Sequence, residues 1–79
     1  MRISSPKHIY NRIKVFRVEA NLTRSQLAEK LNVNVQTIGY LEREEYNASL
    51  ELALKIADVF HLKVEDIFSF TKFDSITKL

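Results

Sequence analysis

Cysteine is absent from this chain of 79 residues. The protein therefore has no disulfide, no thiolate zinc site and no cysteine nucleophile, and its small size is not compensated by covalent cross-links. Apolar runs as long as the roughly 18 to 20 residues of a membrane helix are also absent. The opening MRISSPKHIYNR lacks the apolar stretch of a signal peptide. These absences predict a soluble, cytoplasmic protein with no membrane partner.

Catalytic and cofactor-binding patterns are missing as well. The sequence has no Gly-rich phosphate loop and no evident pair of a nucleophile and a base. His8 and His61 are far apart and have no paired carboxylate at metal-ligand spacing, so surface histidines explain them better than a metal site. We therefore predict no enzyme activity, no catalytic residue, no metal and no cofactor. So short a chain also leaves no room for a sensor domain, and we predict no small-molecule effector.

Hydrophobic residues make up 46% of the chain and charged residues 28%, which is typical of a globular protein. The length predicts a single domain, residues 1–79, with one core. The net charge of +2 is too small to indicate a nucleic-acid partner by itself. Its distribution is uneven, because basic residues crowd the first third of the chain whereas Glu42, Glu44 and Glu45 cluster in the middle. The charge pattern therefore has to be interpreted in three dimensions.

Glycine and proline occur once each, at Gly39 and Pro6, so helix boundaries must be read from caps and from apolar spacing. That spacing predicts a first helix from about Tyr10 to Glu19. Thr23 is a good N-cap for a second helix, with Gln26 as its capping-box partner.

Two further N-caps predict the third and fourth helices. Asn34 can cap the third because its side-chain oxygen can accept a hydrogen bond from the amide of Gln36 or Thr37. Ser49 can cap the segment LELALKIADVF, which is apolar on more than one side. The obvious core stripe of that helix consists of Leu50, Ala53, Leu54, Ala57 and Phe60, and a second set, Leu52, Ile56 and Val59, widens it. The segment KVEDIF predicts a last short helix.

Two short helices joined by a tight turn, the second with polar residues near its start, have the geometry of a helix-turn-helix. The segment LTRSQLAEKLNVNVQTIGYLE, followed by YNASLELALKIADVFHLKVEDIF, resembles the Cro/CI-type (XRE) DNA-binding domain, in particular the short stand-alone regulators of bacteria and phages. The resemblance implies an all-α, five-helix, lambda-repressor-like fold. Residues 11–68 would form its helix-turn-helix core and residues 69–79 a C-terminal tail.

In such a domain the third helix lies in the major groove of double-stranded DNA. An amide side chain can pair with N6 and N7 of adenine and a small apolar group can contact a thymine methyl, so Gln36 and Val35 suit these roles. Arg24 would bind a phosphate or reach a guanine. Spacing alone explains this polar face equally well as an ordinary solvated surface, and the resemblance is what favours DNA. The candidate DNA-binding residues are Arg24, Asn34, Val35, Gln36, Thr37, Tyr40, Arg43, Tyr46 and Asn47.

The resemblance also implies a structural ion pair between Arg17 of the first helix and Glu42 late in the third. The family often has glycine just after the third helix, whereas this chain has Glu44. Because glutamate occupies a left-handed cap less readily than glycine, we expect this helix to run on or to end differently. Glu44 and Glu45 would also bring negative charge near the DNA and weaken the attraction to phosphate.

More large apolar residues follow the third helix than one small core can easily cover, which predicts a partner interface. We expect a homodimeric transcription regulator, in particular a repressor, on an operator with two-fold symmetry. The similar regulators pair through the last helix and a small sheet, which implies a strand near Lys7 to Tyr10 against Ser69 to Lys72. The candidate interface residues are Leu52, Leu62, Val64, Phe68 and Phe70. The alternative is a protein-interaction module, antitoxin-like or an adaptor, that uses the apolar surface of the fourth and fifth helices.

Overall fold

The computed structural model describes residues 7–73. Five helices and a two-stranded antiparallel sheet make up this part of the chain, which confirms the predicted architecture. None of the helices within it has the length and apolar character needed to cross a membrane. The elements are β1 (Tyr10–Asn11), α1 (Ile13–Glu19), α2 (Arg24–Leu31), α3 (Val35–Glu42), α4 (Leu50–Phe60), α5 (Val64–Ile67) and β2 (Phe68–Ser69).

A single core lies where the five helices meet. Every helix contributes to it, and the fully buried large side chains are Ile13, Leu27, Ile38, Leu41, Ile56 and Ile67. The most extensive packing joins α2 to α3, the two helices of the predicted helix-turn-helix. Because burial of a large aliphatic side chain contributes roughly 1.5–3 kcal/mol, these few residues dominate the stability of the fold.

The predicted core stripe of α4 is wrong in part. Leu50 is 74% exposed and Leu54 is 54% exposed, whereas Leu52 and Ile56 are buried. The helix is apolar on two sides, so its periodicity could not indicate which side faces the core. Packing against α2 and α5 selects the side that carries Leu52 and Ile56.

Two of the three side-chain N-caps predicted from the sequence are present in the structure. Thr23 accepts a hydrogen bond from the amide of Gln26 in a complete capping box, and Ser49 accepts one from the amide of Leu52, so both predicted caps are confirmed. The Asn34 side chain makes no capping hydrogen bond, so the predicted cap of α3 is wrong. Asn34 still has an extended backbone at the N-cap position, and it is its carbonyl oxygen that accepts from the amide of Thr37.

The first helix is shorter than predicted, because the chain before it belongs to the sheet. Tyr10 and Asn11 form β1, so α1 begins at Ile13 rather than near Tyr10. The Asn11 side-chain oxygen accepts a hydrogen bond of 3.1 Å from the amide of Ile13. This bond occupies one of the amides that every helix N-terminus leaves without a backbone partner.

Each of the first four helices is followed by a residue with a left-handed backbone conformation. Asn21, Asn32, Glu44 and His61 all have a left-handed backbone, with φ between 58° and 62°. At the end of α3 the amide of Glu45 donates to the carbonyl of Tyr40, and the amide of Glu44 donates to the carbonyl of Leu41. These two bonds form the Schellman motif, in which glycine is the usual left-handed residue. The expectation that α3 would run on or end differently is therefore wrong on both counts, because Glu44 adopts the left-handed conformation that glycine usually has.

Glu44 makes contacts that glycine could not make. Its Oε1 lies 2.8 Å from His8 Nε2, and its Oε2 accepts a hydrogen bond of 3.0 Å from the amide of Asn11. The Asn11 side chain in turn donates to the carbonyl of Leu41 at 2.8 Å. Burial tends to raise the pKa of the Glu44 carboxyl, but the hydrogen bonds from His8 and from the Asn11 amide outweigh it, so this pKa lies below its ordinary value of 4.5. The carboxylate thus joins β1 to the end of α3.

The sheet connects the two ends of the described chain. Tyr10 pairs with Ser69 and Asn11 with Phe68, so each strand overlaps its predicted segment at one residue and extends one residue beyond it. The adjacent Arg12 extends this connection, because its guanidinium donates to the carbonyl of Asp66 through Nη2 at 2.7 Å. The segment before α1 is therefore fixed to the end of α5 as well as to the end of α3.

Replacing His61 by glycine tests the strain at the helix ends. His61 is exposed and has a φ of 58°, a conformation that costs a residue other than glycine roughly 1–2 kcal/mol. His61→Gly should raise the free energy of unfolding in urea by about 1 kcal/mol, since glycine also gives the unfolded chain some extra freedom. The control Glu29→Gly, on the exposed side of α2, should lower the same quantity by about 1 kcal/mol. A destabilised His61→Gly would show that this backbone carries no strain.

The Glu44 carboxyl predicts a particular dependence of stability on pH. Because its pKa is lowered in the folded protein, its contribution is fully present above the unfolded value of about 4.5 and is lost as the pH falls through the folded pKa. At pH 7, Glu44→Gln should be less stable than the parent protein in urea unfolding. That difference should shrink steadily below pH 4.5, and it should be smaller at pH 7 when both proteins carry His8→Ala. A difference that stays constant down to pH 3 would contradict the role given to this carboxylate.

Candidate nucleic-acid interface

The turn between α2 and α3 orients one side of α3 away from the core. Asn32 ends α2 with its left-handed backbone, and the amide of Val33 donates to the carbonyl of Ala28. Ile38 and Leu41 then point inward, with exposures of 0% and 1%. The helical period of 3.6 residues consequently leaves Gln36 and Tyr40, four residues apart, on the outer side.

A shallow depression lies along this outer side. It is lined by Arg24, Val35, Gln36, Gly39, Tyr40 and Arg43, and so brings together five of the nine residues predicted to contact DNA. Among the other four, Thr37 is half-buried, and Asn34, Tyr46 and Asn47 are exposed outside the depression. We refer to the six lining residues as the α3 depression.

The carboxylate of Glu42 lies beside the α3 depression, because it contacts the lining residue Arg24. Its side chain is 1% exposed and contacts two guanidinium groups. Arg17 Nε on α1 lies 2.6 Å from Oε2, and Arg24 Nε at the start of α2 lies 3.0 Å from Oε1. Arg17 also donates to the carbonyl of Leu22 at 2.9 Å. One buried anion therefore connects α1, α2 and α3.

Sequence reasoning expected the pair of Arg17 and Glu42 but missed the contact of Glu42 with Arg24. That contact uses the Nε of Arg24, and Arg24 is still 42% exposed at its side chain. Because a guanidinium has five N–H donors, the two terminal nitrogens of Arg24 stay available for a further acceptor. The helix thus presents an arginine whose direction is set by a buried partner.

Gly39 lines the α3 depression and Glu45 contacts its lining residue Arg43, and the candidate DNA-binding set lacked both. The guanidinium of Arg43 lies over Gly39, because a Cβ built there would be only 3.1 Å from Nη1. Arg43 Nε lies 3.2 Å from Glu45 Oε2, and its Cζ lies 5.4 Å from the centroid of the Tyr40 ring. The spacing of four residues between Gly39 and Arg43 is the sequence signal, since a long helical side chain leans back over the preceding turn.

The acidic residues after α3 are engaged within the chain. Glu44 contacts His8 and the amide of Asn11, and Glu45 contacts Arg43. Neither carboxylate is a lining residue of the α3 depression. The expected repulsion of phosphate by these two charges is therefore partly compensated by their basic partners.

The candidate dimer residues lie at three different depths. Leu52 is 9% exposed and belongs to the monomer core, which corrects its assignment to a partner interface. Leu62, Val64 and Phe68 are half-buried against that core. Phe70 is 60% exposed, with Lys7 Nζ 5.1 Å from its ring centroid.

Over residues 7–73, no cluster of three or more metal-ligating side chains could hold a metal ion.

Removing the charge of Glu42 should destabilise the protein strongly. Glu42→Gln keeps the shape but leaves the nearly buried Arg17 without its anion, which typically costs about 3 kcal/mol. Chemical unfolding at pH 7 measures this quantity. The matched control Glu29→Gln changes an exposed residue of α2 and should alter the free energy of unfolding by less than about 0.5 kcal/mol. Equal effects at the two positions would mean that the buried carboxylate does not organise the helices.

Comparison with known proteins places this geometry in a family. A family model described as helix-turn-helix matches residues 13–67. An uncharacterised helix-turn-helix-type transcriptional regulator of Archaeoglobus fulgidus is 52% identical over 59 residues, which cover 75% of this chain and 83% of the relative. The immunity repressor protein of Bacillus phage phi105 is 39% identical over 56 residues, covering 71% of this chain and 39% of the repressor.

A solved structure supports the same assignment. The crystal structure of a candidate DNA-binding protein from Bacteroides fragilis superposes with a TM-score of 0.70 and 26% sequence identity, covering 77% of this chain and 98% of that chain. The likeness thus extends over nearly the whole of that protein. On the strength of the family match, the relatives and the geometry of its helices, this chain belongs to the helix-turn-helix family of the Cro/CI (XRE) type.

Proposed function

We propose that the protein is a homodimeric, sequence-specific transcription regulator that acts as a repressor by occupying an operator. The observation that carries this proposal is the α3 depression, where amide, aromatic and guanidinium groups converge on the outer side of the helix. The names of its relatives, transcriptional regulators and a phage immunity repressor, support it. Residues 11–68 would be the DNA-binding core of one domain, residues 1–79.

The base edges would be read by the first two turns of α3. The exposed amide of Gln36 can pair with N6 and N7 of adenine, and Val35 can contact a thymine methyl. Tyr40 lies one turn further along the same side, with 47% of its surface exposed. Thr37 is half-buried beside them and can add a contact at the rim.

Phosphate contacts would set the position of α3 in the groove. Arg24 starts α2 with its two terminal nitrogens available, and the exposed Asn34, Tyr46 and Asn47 lie at the two ends of α3. Polar groups at these places suit phosphate oxygens, which fix orientation without reading sequence.

A dimer would present two copies of α3 to two half-sites, about 10 bp apart or a multiple of that distance. Phe70 is the most exposed of the candidate interface residues, and Leu62, Val64 and Phe68, which precede it in the sequence, are half-buried. We leave Leu52 out of this interface, because the monomer core covers it.

Selection from a random pool of DNA duplexes at near-physiological salt tests the proposed function. Nonspecific binding to phosphate weakens steeply with salt, so specific readout stands out under these conditions. We expect enrichment of a motif with two-fold symmetry. If the folded protein enriches no sequence, the proposal of an operator-binding regulator is wrong.

One observation favours a second candidate function, a protein-interaction module of the antitoxin or adaptor kind. Leu50 and Leu54 lie on the same side of α4 with exposures of 74% and 54%, which is unusual for leucines one helical turn apart. If this protein binds a specific partner protein through Leu50 and Leu54 and enriches no DNA sequence, it belongs to this second class.

Gln36→Ala should relax sequence preference at one base pair of each half-site. Loss of the paired contact with adenine should reduce the discrimination there by about 1 to 3 kcal/mol, while the other positions keep their preferences. Competition binding with single-base operator variants measures the effect. The control Gln26→Ala removes the capping-box partner of Thr23, so it should lower stability and leave every base preference unchanged. An unchanged preference in Gln36→Ala would exclude Gln36 as the reader.

A further inference from the structure

We propose that Arg43 is a second base reader, that it reads a guanine, and that Gly39 is the residue that allows it to do so. This inference rests on the proposed binding of DNA by α3. It assigns a specificity-determining role to Arg43 and gives a reason for the single glycine of the chain.

The Arg43 side chain reaches the middle of α3 although its backbone lies at the end of the helix. Arg43 is the C-cap residue, beyond the turns whose side chains face base edges in helix-turn-helix proteins. Its guanidinium, however, extends back over Gly39 and lines the same depression as Gln36. The charge is thus available one helical turn closer to the reading residues than the backbone position suggests.

Two contacts set the direction of this guanidinium. Nε lies 3.2 Å from Glu45 Oε2, and the Tyr40 ring has its centroid 5.4 Å from Cζ. The contact with Glu45 uses Nε, so Nη1 and Nη2 keep their donors for another partner. The ion pair with Glu45 is about half exposed on both sides and contributes little stability, so it orients the arginine without preventing its movement onto DNA.

Guanine is the base that fits this group. An arginine has only donors, and guanine presents two acceptors, N7 and O6, at the spacing of two guanidinium nitrogens. Adenine presents one acceptor and one donor in the same place, so it can satisfy only half of the contact. A phosphate contact is less suitable, because the guanidinium lies over Gly39 in the middle of α3, whereas Arg24, the proposed phosphate contact of the same depression, is the first residue of α2.

Gly39 leaves room for the guanidinium, because a side chain there would crowd it. A Cβ at this position would lie 3.1 Å from Nη1, which is tighter than most Cβ contacts, and 3.7 Å from Nη2, which is ordinary van der Waals contact. The backbone of Gly39 is helical, so its φ does not require glycine. Glycine inside a helix is less stable than alanine. The close approach of Arg43 is therefore the feature of the structure that accounts for glycine here.

Gly39→Ala separates this inference from a general loss of structure. The crowded atoms belong to the end of the flexible Arg43 side chain, so they can move. Because alanine favours the helix more than glycine does, the thermal midpoint of unfolding should rise, by at most about 8 °C. At the same time the guanidinium is displaced. Preference for guanine at one base pair of each half-site, measured by duplex selection and by competition with single-base variants, should fall roughly 5-fold.

Arg43→Lys provides a second, independent variant at an exposed position. Lysine keeps the charge and loses the paired contact, so the same guanine preference should fall while preference at the Gln36 base pair is unchanged. Glu45→Gln, which removes only the orienting carboxylate, should reduce the guanine preference less than Arg43→Lys does.

The outcomes distinguish this inference from the proposed function. If the parent protein enriches no motif, the proposed function fails. If it enriches a motif without guanine, or if Arg43→Lys and Gly39→Ala keep the guanine preference, the reading role of Arg43 is overturned while DNA binding stands. A uniform loss of affinity at all base pairs in Arg43→Lys would make Arg43 a phosphate contact and would also overturn the inference.

Discussion

The α3 depression depends on the ion pairs that the buried carboxylate of Glu42 forms with Arg17 and Arg24. An anion with 1% of its side chain exposed is costly unless cations and hydrogen bonds replace its water, and here guanidinium groups from α1 and α2 both do so. Such a pair adds little net stability compared with apolar packing, but it is satisfied in only one arrangement of the three helices. The outer side of α3 therefore has a defined direction relative to the start of α2, which brings Arg24 beside Gln36 in the α3 depression.

A second constraint is the scarcity of glycine, because the single glycine lies inside α3 and none is left for the helix ends. The left-handed positions are occupied by Asn21, Asn32, Glu44 and His61. Asparagine and histidine are among the residues enriched in this backbone, whereas glutamate adopts it less readily. At Glu44 the strain is offset by what the carboxylate does, since it joins the end of α3 to β1. The same residue thus ends α3 and attaches the N-terminal segment to it.

Most of the fold could be predicted from the sequence, because apolar spacing indicates α2, α3 and α5, although the side-chain cap and the C-terminal end expected for α3 were wrong. Thr23 and Ser49 have capping side chains that need only neighbouring amides, so they were predictable without tertiary information. The core side of α4 was not, since both of its sides are apolar and the choice depends on contacts with other helices. In the candidate site, the positions of Gln36 and Tyr40 follow from helical periodicity. The contact between Arg43 and Gly39 does not follow from periodicity. The sequence shows only that a glycine lowers the stability of the helix, and the reason for it requires the position of the Arg43 side chain.

The carboxylates around α3 change the meaning of the small net charge. A protein with +2 overall has little long-range attraction for DNA, and acidic residues near the groove would normally reduce it further. Here Glu42 and Glu45 each lie close to the Nε of an arginine, so Arg24 and Arg43 keep their terminal nitrogens as donors for another acceptor. If α3 binds DNA as proposed, an arginine held in this way offers less unscreened charge to a phosphate and an oriented pair of donors to one base. Under that proposal, the small net charge and the paired arginines favour directional contacts over sequence-independent attraction.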